Sequence, residues 1–157
     1  MKTADYLLVF SLEKRKYALN VECVERIIPS VSITPLPGAP TIIRGVIKLH
    51  EKIVPIANIH KRFEISDHEI NLSDQIIIAD TGKRIIGLLV DSVHDVIPSD
   101  EEKIVPADKI LKSLQYVEGI VQAEDGLIII HNLEKFLSLE EVQTLDNILT
   151  KTGIENV

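Results

Sequence analysis

The chain holds one cysteine, one methionine and no tryptophan among 157 residues, and aromatic residues make up only 4% of it. A lone Cys23 cannot form an internal disulfide, which fits a reducing compartment and leaves the fold to packing alone. With so few rings, the core has to come from Ile, Val and Leu. β-Branched side chains are stiff and pack well on a pleated surface, so strands are favoured. No apolar run approaches the roughly 20 residues of a membrane span. Tyr6–Leu12, the apolar run near the N-terminus, is short for a secretory segment and leads into Glu13-Lys14-Arg15-Lys16 rather than a small-residue cleavage site. A cytoplasmic protein with no membrane insertion is expected. Basic charge is also short: 17 Lys and Arg stand against 24 Asp and Glu, a net charge of −7. Such a chain is not steered to phosphate backbones, and the cluster Lys14–Lys16 reads as a hairpin tip, so nucleic acid is not an expected partner.

What remains is a globular composition, 45% hydrophobic and 26% charged. At this length about 68–70% of the unfolded chain's surface can be buried, so neither metal nor disulfide is needed as a staple. The apolar runs are short and bounded by turn residues: Tyr6–Leu12, Tyr17–Val21, Ile42–Leu49, Ile53–Ile59, Gln75–Ala79, Ile85–Val90, Val117–Val121 and Leu127–Ile130. These predict strands and an all-β body. Ser138-Leu-Glu-Glu141 is a capping box, and Val142, Leu145, Ile148 and Leu149 follow at helical spacing, which predicts a helix over 139–151 with Gly153 as its stop. Shorter helical turns are expected at Asn58–Phe63 and Asp108–Leu114, and Ser66–Ser73 reads as a polar link.

The chain also resembles itself. Val21, Val24, Ile28 and Pro29 fall on Val90, Val93, Ile97 and Pro98 at a constant offset, 98 − 29 = 69. The same offset carries Leu7–Val9 onto Ile76–Ile78 and Lys14-Arg15 onto Lys83-Arg84. A second block repeats at 119 − 45 = 74: Gly45 falls on Gly119, Ile53-Val54 on Leu127-Ile128, and Asn58 on Asn132. Two Ile- and Val-rich segments look alike by composition, but Gly, Pro, Lys-Arg and Asn lie outside the apolar pattern and coincide as well. Each half therefore reads as strand, charged turn, strand, a Val-x-x-Val-x-x-x-Ile-Pro corner, then a glycine-started hairpin. Two duplicated units of about five strands each would make small barrels, which leave no exposed strand edges.

Catalysis needs a convergent set of acid, base, nucleophile or ligand residues. His50-Glu51 lacks the second histidine and the helix of a zinc-protease motif. His60, Glu64, Asp67 and His68 would need to cluster to hold a metal, and they read instead as solvated charges on a turn and a link. Asp91, His94 and Asp95 read as a polar strip beside Val90, Val93 and Val96, and Cys23 as a small core residue. Gly82-Lys83 lacks the upstream glycine of a phosphate loop. No enzyme, metal or cofactor is expected, and function falls to surfaces.

Tyr6-Leu-Leu-Val-Phe-Ser-Leu12, Tyr17-Ala-Leu-Asn-Val21, Pro37-x-x-Pro40, Ile43-x-Gly45-Val-Ile47, Ile53-Val-Pro-Ile56, Ile86-Gly-Leu-Leu-Val-Asp-Ser-Val93, Tyr116-Val-x-Gly119 and Gly126-Leu-Ile-Ile-Ile130 stand in an ordered set over about residues 5–150. This set resembles the CheW-like family of chemotaxis coupling proteins. The resemblance implies one domain over 1–157, built as two five-stranded SH3-like barrels. Subdomains are expected at about 17–70 and about 74–137, with strand 6–12 and the helix at 139–151 packing on the body. It implies an adaptor, monomeric alone, that binds the tip of a chemoreceptor and the regulatory domain of a CheA-type histidine kinase. By position, the receptor groove would use Val21, Val24, Ile27, Gly45, Val90 and Val93, although plain core is an equally good reading of Val21 and Val90. Helix-in-groove recognition suits such small and β-branched residues. The sequence departs from the family where a Glu is replaced by Arg26, where Lys48-Leu-His-Glu51 stands for Asn-Leu-Arg-Gly, and where an Asp is Asn58. Arg26, His50 and Glu51 thus mark an altered charged surface for the kinase, with Arg26 expected to face Glu51. The alternative is that Glu51 points away, since neighbours on an extended segment face opposite sides, and Arg26 awaits an acidic partner. The competing readings are a decoy or scaffold that binds one of the two partners, and a metal-binding enzyme using the histidines.

Overall fold

A computed structural model describes residues 6–63, 71–100, 103–106, 116–123 and 126–151. The expected turn at Asp108–Leu114, most of the link at Ser66–Ser73, and Gly153 lie outside the described residues. Eleven strands are formed: β1 Tyr6–Leu12, β2 Arg15–Asn20, β3 Val24–Pro29, β4 Ile43–Leu49, β5 Lys52–Ala57, β6 Gln75–Asp80, β7 Ile85–Val90, β8 Ser92–Pro98, β9 Ile104–Pro106, β10 Val117–Ala123 and β11 Gly126–His131. Two helices join them, α1 Ile59–Arg62 and α2 Leu139–Lys151. All eight expected strands are present. The two Val-x-x-Val-x-x-x-Ile-Pro corners are strands too, β3 and β8, and β9 is an addition.

The strands build two sheets, in the orders β8-β1-β2-β11-β10-β9 and β3-β6-β7-β5-β4. The repeat carries over into the register of the strands. Tyr6 pairs with Pro98 as Gln75 pairs with Pro29, and Leu7 with Ile97 as Ile76 with Ile28. Gly45 pairs with Ile56 as Gly119 pairs with Ile130. Even the parallel seams agree: Ile130 lies opposite Ala18, and Ile56 opposite Gly87. The strand pairing runs across the expected division at about 17–70 and about 74–137. Hairpin β1–β2 pairs with β8 and β11, and hairpin β6–β7 with β3 and β5, so each sheet takes its central hairpin from the opposite half.

Exchange buries these hairpins on both faces, with period 2. Leu8, Phe10, Leu12, Tyr17 and Leu19 point into a shared core, where they meet Ile77, Ala79, Ile86, Leu88 and Val90 from the other hairpin. The alternate residues fill the sheets' own interiors, Leu7, Val9 and Ala18 in one, Ile76, Ile78 and Leu89 in the other. This is why β1, β6 and β7 read as unbroken apolar runs.

Glycine lets a further segment close on each sheet. A Cβ on Gly45 would stand 2.2 Å from the Thr34 carbonyl oxygen, and one on Gly119 would stand 2.9 Å from that of Val105. Thr34 and Val46 exchange backbone hydrogen bonds of 2.8 and 2.9 Å across that approach. The hairpin tip expected at Lys14–Lys16 is a turn at Glu13-Lys14, both at positive φ. Helix α2 caps the shared core with Val142, Leu145 and Leu149. Its capping box forms as expected: the Glu141 amide donates to Ser138 Oγ (3.1 Å), and the Ser138 amide donates to Glu141 Oε1 (2.9 Å). Arg62 reaches Glu141 at 2.5 Å, and Arg84 pairs with Asp146.

His131 sits in this core 3% exposed, ringed by Phe63 (centroids 4.0 Å), Tyr17 (5.0 Å) and Phe10 (5.6 Å). Neither ring nitrogen has a hydrogen-bond partner among the described residues. Burial among rings lowers its pKa from the ordinary 6.5 to about 3, because the charged imidazolium would lose its hydration there.

Three outcomes follow from this packing. Fragments 1–72 and 73–157 should each lack a cooperative unfolding transition in circular dichroism, and mixing them should restore one, since neither contains the partners of its own hairpin. Gly45→Ala should cost about 1–3 kcal/mol in urea unfolding, the usual penalty of forced overpacking. Between pH 6.5 and 3 the unfolded chain binds the His131 proton and the folded chain does not, so stability falls with pH at up to about 1.4 kcal/mol per unit. Urea midpoints from pH 7 to pH 4.5 should show a shallower decline in His131→Phe, whatever its absolute stability.

Candidate functional site

The residues expected to form the receptor groove fall into three environments. Val21, Val24 and Val93 are half-buried and pack on the shared core from its rim. Asn20 ends β2 by accepting the Glu22 amide at 3.1 Å, which starts the short 3-10 turn Val21–Cys23 and sets Val21 and Val24 at the corner. Val93 comes from the equivalent corner of the other half and packs on the same core. Val90 is fully buried. Ile27 is 38% exposed on β3, the edge strand of its sheet. Gly45 is buried beneath Thr34 and serves the close approach described above.

The charged surface differs from expectation in one contact. Arg26 Nη1 donates to His50 Nε2 at 2.9 Å, so Arg26 meets His50, not Glu51. A guanidinium can only donate, so His50 Nε2 is the acceptor in this arrangement. His50 and Glu51 form the two-residue connection between β4 and β5, with His50 at φ 59°. Neighbouring side chains of such a connection diverge, and all three residues are exposed.

A cleft of about 280 Å³ has Glu22, Cys23, Glu118, His131 and Glu134 in its lining. Burial raises the Cys23 thiol pKa, and Glu134, Glu118, Asp80 and Glu22 raise it further by their negative charge. Cys23 is therefore a thiol, not an activated thiolate, at neutral pH.

Of the four residues weighed as a metal set, Glu64, Asp67 and His68 lie outside the described residues. His60 turns elsewhere. It sits 3% exposed in the first turn of α1, which Asn58 caps by accepting the Lys61 amide at 3.1 Å. Its Nε2 lies 3.4 Å from Asp91 Oδ1, and Glu13 completes a group whose ligand atoms all lie within 4.8 Å of one another. Asp91 therefore faces His60. Sequence reasoning missed this grouping, because the three residues are far apart in the chain and belong to three elements.

Among the described residues no helix is long and apolar enough to cross a membrane. The CheW-like domain family matches residues 6–141. The chemotaxis protein CheW of Bacillus subtilis is 30% identical, over 92% of this chain and 94% of its own length. Its counterpart in Thermotoga maritima is 29% identical over 90% and 92%. Among solved structures, the scaffolding protein TtCheW from Thermoanaerobacter tengcongensis superposes with a TM-score of 0.80 at 35% identity, covering 88% of this chain and 96% of that one. The duplicated strand order, the glycine-started hairpins and these matches agree, and the chain belongs to the CheW-like domain family.

Proposed function

We propose that this chain, a chemotaxis adaptor of the CheW-like family, couples the cytoplasmic tip of a chemoreceptor to the regulatory domain of a CheA-type histidine kinase, without catalysis of its own. The observation that carries the reading is that Val21, Val24 and Val93, from equivalent corners of the two halves, are half-buried against one shared core. A rim of short β-branched side chains is a shallow trough, and an amphipathic helix can lay its apolar face there. The strand β3 beside it carries Ile27 outward and Arg26 against His50, which provides a polar edge next to the trough. Such an edge selects partners and steers their approach more than it adds affinity. On this reading the protein acts in the cytoplasm, is a monomer when alone, and inserts in no membrane. Glu51 has no part in holding Arg26, so compensation of an Arg26 reversal is expected from position 50 and not from position 51.

The test is to measure binding of the chain to a receptor tip fragment and to the kinase regulatory domain in separate titrations. Val24→Asp should weaken receptor binding by well over tenfold, since it places a charge on the desolvated rim. Arg26→Glu should leave the melting temperature nearly unchanged, as exposed pairs contribute about 0–1 kcal/mol, yet reduce affinity for one partner by about tenfold. Binding of neither partner by the unaltered chain, or indifference to both substitutions, overturns the reading.

A further inference from the structure

The group Glu13, His60 and Asp91 is more ordered than a chance meeting of charges. Asp91 is fixed twice: its backbone amide donates to the Ser11 carbonyl at 3.1 Å, and its Oδ2 accepts the Glu13 amide at 2.6 Å. That leaves Oδ1 turned to His60 Nε2, on a histidine held by packing at the base of the group. The separation between them, 3.4 Å, is longer than a good charge-assisted hydrogen bond of about 2.7–2.9 Å. It equals the edge of a tetrahedron whose centre lies about 2.0–2.2 Å from a nitrogen and an oxygen ligand. The Glu13 carboxylate is exposed, and Asp91 is 26% exposed, so an ion can enter from solvent and keep a water.

We propose that Glu13, His60 and Asp91 form a binding site for one divalent transition-metal ion. One imidazole and two carboxylates suit Zn²⁺ or Co²⁺. Ca²⁺ and Mg²⁺ want six or more oxygen ligands and are poorly served here. The amide that holds Asp91 Oδ2 does the orienting work of an outer-shell partner. An ion in this place would tie the β1–β2 turn to α1 and to the β7–β8 junction, three elements that belong to both halves of the repeat. The site neither needs nor implies a partner protein, and so stands independently of the coupling role.

The experiment uses the full chain, stripped with chelator and titrated with Co²⁺ by visible absorption, with Zn²⁺ displacement and calorimetry for stoichiometry. One equivalent should bind with the intense bands of low-coordinate Co²⁺, and Zn²⁺ should displace it and raise the unfolding midpoint, while Mg²⁺ and Ca²⁺ should do neither. Asp91→Asn and Glu13→Gln should each weaken binding at least tenfold. Cys23→Ser, His50→Gln and His94→Gln should leave it unchanged. If His60→Gln fails to fold, Glu13→Gln decides, because that side chain is exposed. No saturable binding at one equivalent overturns the proposal, as does binding that survives in both carboxylate variants or is lost with Cys23, His50 or His94.

Discussion

Everything in this fold depends on two short parallel pairings, β2 with β11 and β5 with β7. They are where a hairpin from one half enters the sheet of the other, and each involves only two or three residue pairs. Small residues make the entry possible. Ala18 stands opposite Ile130 at one seam and Gly87 opposite Ile56 at the other, where an added Cβ would come within 2.6 Å of the Ile56 side chain. Once inserted, each hairpin is covered on both faces, and the two hairpins become the common floor between the sheets. Val21 and Val93 pack on this same floor from opposite halves.

Much of this was legible in the residues. Unbroken runs such as Ile76-Ile-Ile-Ala79 announce strands buried on both faces, and the two constant offsets anticipate pairings that recur residue for residue. Ser138 and Glu141 announce α2, because capping is a local matter between residues three apart. Other features were hidden for physical reasons. The corners ending at Pro29 and Pro98 are edge strands with a bulge, and the bulge breaks the alternation that marks a strand. Which hairpin enters which sheet is a choice between two equivalent sets of pairings, and composition cannot separate them. Arg26 and His50 meet because the edge strand β3 lies close to the β4–β5 turn. His60 and Asp91 meet because α1 packs against the end of β7, and nothing in their spacing announces it.

A repeated scaffold makes its unrepeated residues informative. Glu13, His60 and Asp91 correspond, by the two offsets, to Gly82, Glu134 and Glu22. One pole therefore carries a mixed imidazole–carboxylate group, while the other carries the acidic cleft beside Cys23. Ala57 corresponds to His131, so one half has a methyl where the other has a ring inside an aromatic box. Backbone and register have been kept while side chains at matching places have diverged in charge and size. The two halves therefore present chemically distinct groups at matching places of one scaffold.

The exchange of hairpins also bears on where such a chain could have come from. Two copies of a single half contain every pairing that closes both sheets, because each hairpin meets the other half in the same register. A half-length chain with these pairings would close both sheets only as a swapped homodimer. Joining the two genes end to end would have changed no contact in that dimer. It would have converted a concentration-dependent assembly into an intramolecular one, and freed the two copies to evolve apart.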